Sequence, residues 1–191
     1  AADQSLSAIG AYEGKEVLRM KKTVVIVFMS MLISMNVLLT HVVPVIKTDI
    51  ARISFGFIPL SLASMLFGPI IGGFTGALSD ILGMIIAPQG PYFPGFTLNA
   101  FLTGAVYGIF LYRKPKTLPR VILAVLCVSV FINIGLNTYW LTILTGKGYL
   151  AMLPARIIQN AVTAVIQTVM IPVVWKLVGS NAENMLLKHP A

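Results

Sequence analysis

Apolar stretches separated by short polar or proline-rich breaks make up most of this chain. A run of about 20 mostly apolar residues is enough to cross a bilayer core as a helix. The pattern predicts helices over Thr23–Val43, Ile50–Leu66, Pro69–Ala87, Gly95–Tyr112, Arg120–Leu144 and Leu150–Val178. The second contains Pro59, and the third opens on Pro69, where a first helical turn tolerates proline. The expected fold is an all-α integral membrane protein, six transmembrane helices in one bundle. Residues 23–178 form that bundle, flanked by an N-terminal segment over 1–22 and a tail over 179–191.

Composition supports the pattern. Hydrophobic residues are 57% of the chain and charged residues 10%, against about 25% charged in a soluble domain. Between Thr23 and Tyr112 the charged side chains are Lys47, Asp49, Arg52 and Asp80. A net charge of +8 would suit nucleic acid if it formed one basic face, but the charges sit at the ends of apolar segments. Topology explains them better, and no nucleic-acid partner is expected.

Ten of the fourteen basic residues fall on one side of the predicted helices, in 15–22, 113–120, 176 and 188. The other four are Lys47, Arg52, Lys147 and Arg156. Positive residues favour the cytoplasm. Both termini and the "RKPKTLPR" loop are therefore expected inside, and the connections around 44–52, 88–96 and 145–150 outside.

Small residues recur every four positions. Gly72 and Gly76 lie on helix 3, and Ala100, Gly104 and Gly108 on helix 4. Such rows let helix backbones approach closely in lipid, and packing within the bundle is their expected role. Ser30 and Ser34 on helix 1 have the same spacing. They either pack inside the bundle or offer a flat face to another membrane protein.

Polar side chains inside spans cost free energy unless they find partners. Helix 5 carries Asn133, Asn137 and Trp140 at i, i+4 and i+7, one face of an α-helix. Helix 6 carries Arg156, Asn160, Thr163 and Gln167 in a stripe, with Gln159 beside it; Asp80 and Asn99 come from helices 3 and 4. Hydrogen bonding between helices would satisfy such groups one by one. Asn99, Asn137, Trp140, Arg156 and Gln159 are expected in the outer half of the membrane, with Asp80 between that half and mid-depth, and this convergence instead favours a ligand cavity. Thr163 and Gln167 lie deeper and are read as structural, and His41 as interfacial. Arg156 is either a snorkelling anchor or the partner of a carboxylate or phosphate. Arg52 and Lys147 are rim cations that could join it.

The stretch "PQGPYFPGF", residues 88–96, holds three prolines, two glycines and three aromatics. Proline limits a loop's unbound conformations and so reduces the ordering cost of closing it. Tyr92, Phe93 and Phe96 offer flat apolar surface, for a lid over the cavity or as anchors at headgroup depth.

No Gly-rich loop followed by Lys-Ser/Thr is present, nor HExxH or a cysteine cluster. The two histidines, His41 and His189, are far apart, and Cys127 is the single cysteine. Catalysis, bound metal and cofactor are not expected; a binding cavity without its own motor is.

The stretch "ISFGFIPLSLASMLFGPIIGGFTGALSDILG" resembles the S components, the substrate-binding membrane subunits of energy-coupling factor (ECF) vitamin transporters. "PQGPYFPGFTLNAFLTGAVYG" and "NTYWLTILTGKGYLAMLPARI" are similar to the folate-specific branch of that family. The likeness runs over nearly the whole chain after Lys21. Many members carry AxxxA on helix 1, where this chain has Ser30 and Ser34. The resemblance implies six helices, cytoplasmic termini in a bacterial plasma membrane, and an outward pocket for one vitamin. It also implies an ECF module of one membrane coupling subunit and two cytoplasmic ATPases as partners, contacted through Ser30 and Ser34. Folate is chemically compatible. Its ring suits Trp140, Tyr92 and Phe93, its polar edge Asn99, Asn137, Gln159 or Asp80, and its glutamate tail Arg156, Arg52 or Lys147. Riboflavin or thiamine could also use such groups. A scaffold protein whose polar residues are structural glue is the reading from a different class.

Overall fold

A computed structural model describes residues 22–42, 46–47, 52–88, 90–146 and 148–182 of the 191-residue chain, with the side chains of 22–24 and of the two short strands left out. The expected N-terminal segment and most of the tail lie outside the described residues. Helix α1 runs over Lys22–Val37 and continues as a π-helical turn, Leu38–Val42. Strands β1 (Ile46–Lys47) and β2 (Arg52–Ile53) pair antiparallel. Helices α2 (Phe57–Phe67), α3 (Pro69–Ile86) and α4 (Pro94–Leu111) follow. Two long helices follow, α5 (Leu118–Thr145) and α6 (Tyr149–Ala182).

Among the described residues, five helices are long and apolar enough to cross a membrane: α1, α3, α4, α5 and α6. The second predicted span differs from expectation. Its N-terminal part forms β2, and helix begins only at Phe57. Eleven residues of α2 extend roughly 16 Å at 1.5 Å per residue, about half a hydrocarbon core. Lys47, Asp49 and Arg52 interrupt the apolar run here, and Ile46–Lys47 pairs with Arg52–Ile53 in place of a helical start. All of α2 is buried except Ile58 and Leu66, so it is the bundle's central element. Gly68, at φ 92°, turns the chain from α2 directly into α3.

The glycine rows bring α3 and α4 together as the spacing predicts. A Cβ on Gly76 would strike the Ala100 carbonyl, and one on Gly104 the Gly72 carbonyl. Backbone, not side chain, is the neighbour, so neither side can yield. Gly104→Leu is therefore expected to lower the melting temperature of the detergent-solubilised protein steeply, at or beyond the usual overpacking cost of about 1–3 kcal/mol. Gly148→Leu, where a Cβ meets nothing within 4 Å, should leave it unchanged. Equal melting temperatures would contradict this packing.

Below these rows, Tyr107, Leu111, Val121, Val125, Val128 and Ile171 close the α4–α5–α6 core. The fully buried Tyr107 hydroxyl donates to Gln167 Oε1 at 3.2 Å, tying α4 to α6. Apolar side chains such as Ile26, Met31, Ile70, Phe131 and Val165 face outward, as in a bundle whose solvent is lipid.

Helix α5 contains a π-helical stretch, Val128–Asn137. A π-helix bonds i to i+5 and often marks a functional site. The Thr138 hydroxyl accordingly donates to the Asn133 carbonyl, five residues back, at 3.1 Å. The Ile134 carbonyl accepts from the Tyr149 hydroxyl at 3.1 Å. The wider turn changes which residues share a face.

Candidate functional site

A cavity of about 630 Å³ lies among α1, α3, α4, α5 and α6. Of the residues singled out in the sequence, Asp80, Tyr92, Phe93, Asn99, Asn137, Arg156 and Gln159 line it. Five parts of the bundle position them. Asp80 comes from α3, Asn99 from α4, Asn137 from the π stretch of α5, and Arg156 and Gln159 from the first turns of α6. Tyr92 and Phe93 come from the connection into α4, with Pro94 at the first position of that helix.

The unmet hydrogen-bonding groups are the most informative feature. Asn99 is buried, and neither its Nδ2 nor its Oδ1 has a hydrogen bond among the described residues. Arg156 Nε and Trp140 Nε1 are buried in the same condition. Buried polar atoms are nearly always paired, so such orphans clustered around one cavity point to a ligand. Other polar residues are already engaged. Asn160 Nδ2 donates to the Arg156 carbonyl at 2.9 Å, and the Thr163 hydroxyl to the Gln159 carbonyl at 2.8 Å.

Trp140 stands one ring behind the wall. Its indole packs on Phe93 at 5.4 Å between centroids, and Phe93 in turn lies 5.9 Å from Phe96 in an edge-on arrangement. Gly95 makes room for this, because a Cβ there would strike both Phe93 and Trp140. The face predicted for Asn133, Asn137 and Trp140 assumed an α-helix. In the π register Asn133 and Asn137 reach the cavity and Trp140 braces the aromatic loop.

Arg52 belongs to β2, whose side chains are outside the described ones, and Lys147 is outside the described residues. Ser30 and Ser34 are exposed on α1, each hydroxyl donating to its own helix, to Ile26 and Ser30 carbonyls at 2.9 Å. Thr163 and Gln167, read as structural, line the deep end of the cavity as well. His41 is buried within the bundle, its ring against Gly83 of α3.

Sequence reasoning missed Asn36 and Thr40 of α1. Both line the cavity, and the Thr40 hydroxyl donates to Asn36 Oδ1 at 2.9 Å. Polar residues four apart near the end of an apolar helix were the available signal. Thr97 was also missed. Its hydroxyl donates to Asp80 Oδ2 at 2.7 Å and lies 3.1 Å from the Tyr92 hydroxyl. Asp80 therefore finds a hydroxyl partner on the neighbouring helix.

Apolar helices around a cavity that holds buried, unpaired polar groups suit a membrane protein that binds a ligand. The family model for the substrate-specific component of ECF transporters matches residues 24–175, and the chain belongs to that family. This is a family of membrane transport subunits rather than of enzymes. The folate transporter FolT of Clostridium novyi (strain NT) is 43% identical over 159 residues, covering 83% of this chain and 92% of that protein. The folate transporter FolT of Leuconostoc mesenteroides subsp. mesenteroides is 30% identical over 147 residues, 74% of this chain and 78% of that protein. Among solved structures, one described as the crystal structure of FolT bound with folic acid matches with a TM-score of 0.72. It is 42% identical, and the match covers 76% of this chain and 89% of that one.

Proposed function

We propose that this chain binds folate in the cavity and serves as the folate-specific S component of an ECF-type ABC transporter. The observation that carries this reading is the buried, unpaired Asn99 amide in a cavity that also holds Arg156 and the Phe93 ring. An amide offers a donor and an acceptor to the polar edge of a pterin. A guanidinium suits the carboxylates of its glutamate tail. The relation to FolT proteins, one of them described as bound with folic acid, favours folate over other vitamins.

Both termini are cytoplasmic in this reading, and the cavity opens outward. The uneven distribution of lysine and arginine supports that orientation. Helix α2 takes the place of the second of six crossings within residues 23–178, and the hairpin before it lies at the outer end of the bundle. The membrane is a bacterial plasma membrane. ATP is hydrolysed by two cytoplasmic partner subunits, joined to this chain through a membrane coupling subunit. The exposed Ser30 and Ser34 provide the contact. Their hydroxyls are bonded within α1, so the face they present is small and undemanding.

Uptake tests the proposal. Cells unable to make folate, expressing this chain with an ECF module, should take up folic acid; uptake of riboflavin or thiamine instead would reassign the substrate. Ser30→Trp with Ser34→Trp should reduce uptake at least several-fold while leaving folic acid binding to the isolated protein intact. Undiminished uptake would remove these serines from the partner surface.

A further inference from the structure

The chain of hydroxyls at the cavity mouth has a definite direction. A threonine hydroxyl carries one proton. At 2.7 Å from Asp80 Oδ2, the Thr97 proton is committed to the carboxylate. The 3.1 Å contact with Tyr92 must then run the other way, the phenol donating to Thr97 Oγ1. Asp80 thus fixes the rotor of Thr97 so that a lone pair faces Tyr92.

The three residues differ in how firmly they are held. Asp80 sits on α3 and Thr97 in the first turn of α4. Those helices are joined backbone to backbone through Gly76 and Ala100, and threonine is stiff at χ1. Tyr92 precedes the helix, is about half exposed, and follows Gly90 and Pro91, all of which line the cavity. A fixed pair on two packed helices therefore holds one movable aromatic arm.

We propose that Thr97 is a positioning residue that latches Tyr92 over the cavity mouth and thereby sets how fast ligand leaves. The inference rests on the folate reading for its ligand but not for its geometry. Thr97 itself needs no contact with the ligand. It acts through Tyr92.

Two readouts on the purified full chain test this, one without ligand. The first is amide hydrogen exchange of the segment containing Gly90, Tyr92 and Phe93 in the ligand-free protein. The second is the dissociation rate of folic acid after rapid mixing. Thr97→Val keeps shape and removes the hydroxyl; Thr97→Ser keeps the hydroxyl; Tyr92→Phe removes only the donor. Thr97→Val and Tyr92→Phe should each speed exchange and raise the off-rate roughly fivefold, the effect of one modest hydrogen bond. The double variant should be no faster than either single, since both break one link. Thr97→Ser should match the unaltered protein. Unchanged exchange in Thr97→Val would overturn the latch, as would faster exchange with an unchanged off-rate, or additive effects in the double variant. If the unaltered protein binds no folic acid while exchange responds as described, the latch stands and the ligand assignment falls.

Discussion

Arg156→Ala is expected to weaken folic acid binding by about 2–5 kcal/mol, roughly thirtyfold or more, as when one partner of a buried charge-assisted pair is removed. The guanidinium lines the cavity, its Nε is buried, and that atom has no partner among the described residues. A bound carboxylate would supply the partner. Arg156→Lys should recover only part of the loss, because an ammonium cannot reproduce the planar fork of donors. Titration with folic acid and with an analogue lacking the glutamate tail separates the possibilities. The analogue should bind the unaltered protein weakly and be nearly indifferent to the substitution. Equal losses for both compounds would mean that Arg156 holds the helix bundle rather than the tail.

Asn99→Leu should move stability and binding in opposite directions. The buried amide has no hydrogen bond among the described residues at either polar atom. Leaving a buried polar group unsatisfied costs about 1–3 kcal/mol. A leucine of similar size removes that cost, so the ligand-free protein should melt at the same or a higher temperature. The ligand then faces an apolar wall, and each of its polar groups left unpaired costs about 1–3 kcal/mol, so affinity should fall at least tenfold. Melting curves with and without folic acid read both effects from one sample. A variant that is destabilised and binds normally would make Asn99 part of the packing and not of the site.

Much of the bundle was legible because lipid imposes a simple demand on a chain: every crossing helix must be predominantly apolar along its length. The predicted Pro69–Ala87 and Gly95–Tyr112 agree closely with α3 and α4. Helix α2 was not legible in the same way. Apolarity cannot separate a helix that crosses lipid from one buried within protein, and Ile50–Leu66 hid a strand and a short central helix.

The candidate site followed a similar division. Asn99, Asn137, Arg156 and Gln159 stood out because each is polar in an apolar helix, and all line one cavity. Asn36 and Thr40 carried the same signal in weaker form. The place of Trp140 depended on a π stretch that no periodicity announces. Thr97 gave no signal, since threonine near a helix start is ordinary. Its partner Asp80 is seventeen positions away, and only the α3–α4 packing brings them together.

Equilibrium binding of folic acid to the purified, detergent-solubilised protein, stripped of any endogenous ligand, tests the central claim most directly. Thiamine and riboflavin serve as controls. Submicromolar binding of folic acid with weak binding of both controls is the predicted result. A folded sample that binds riboflavin or thiamine and not folic acid, or that binds none of the three, would contradict it.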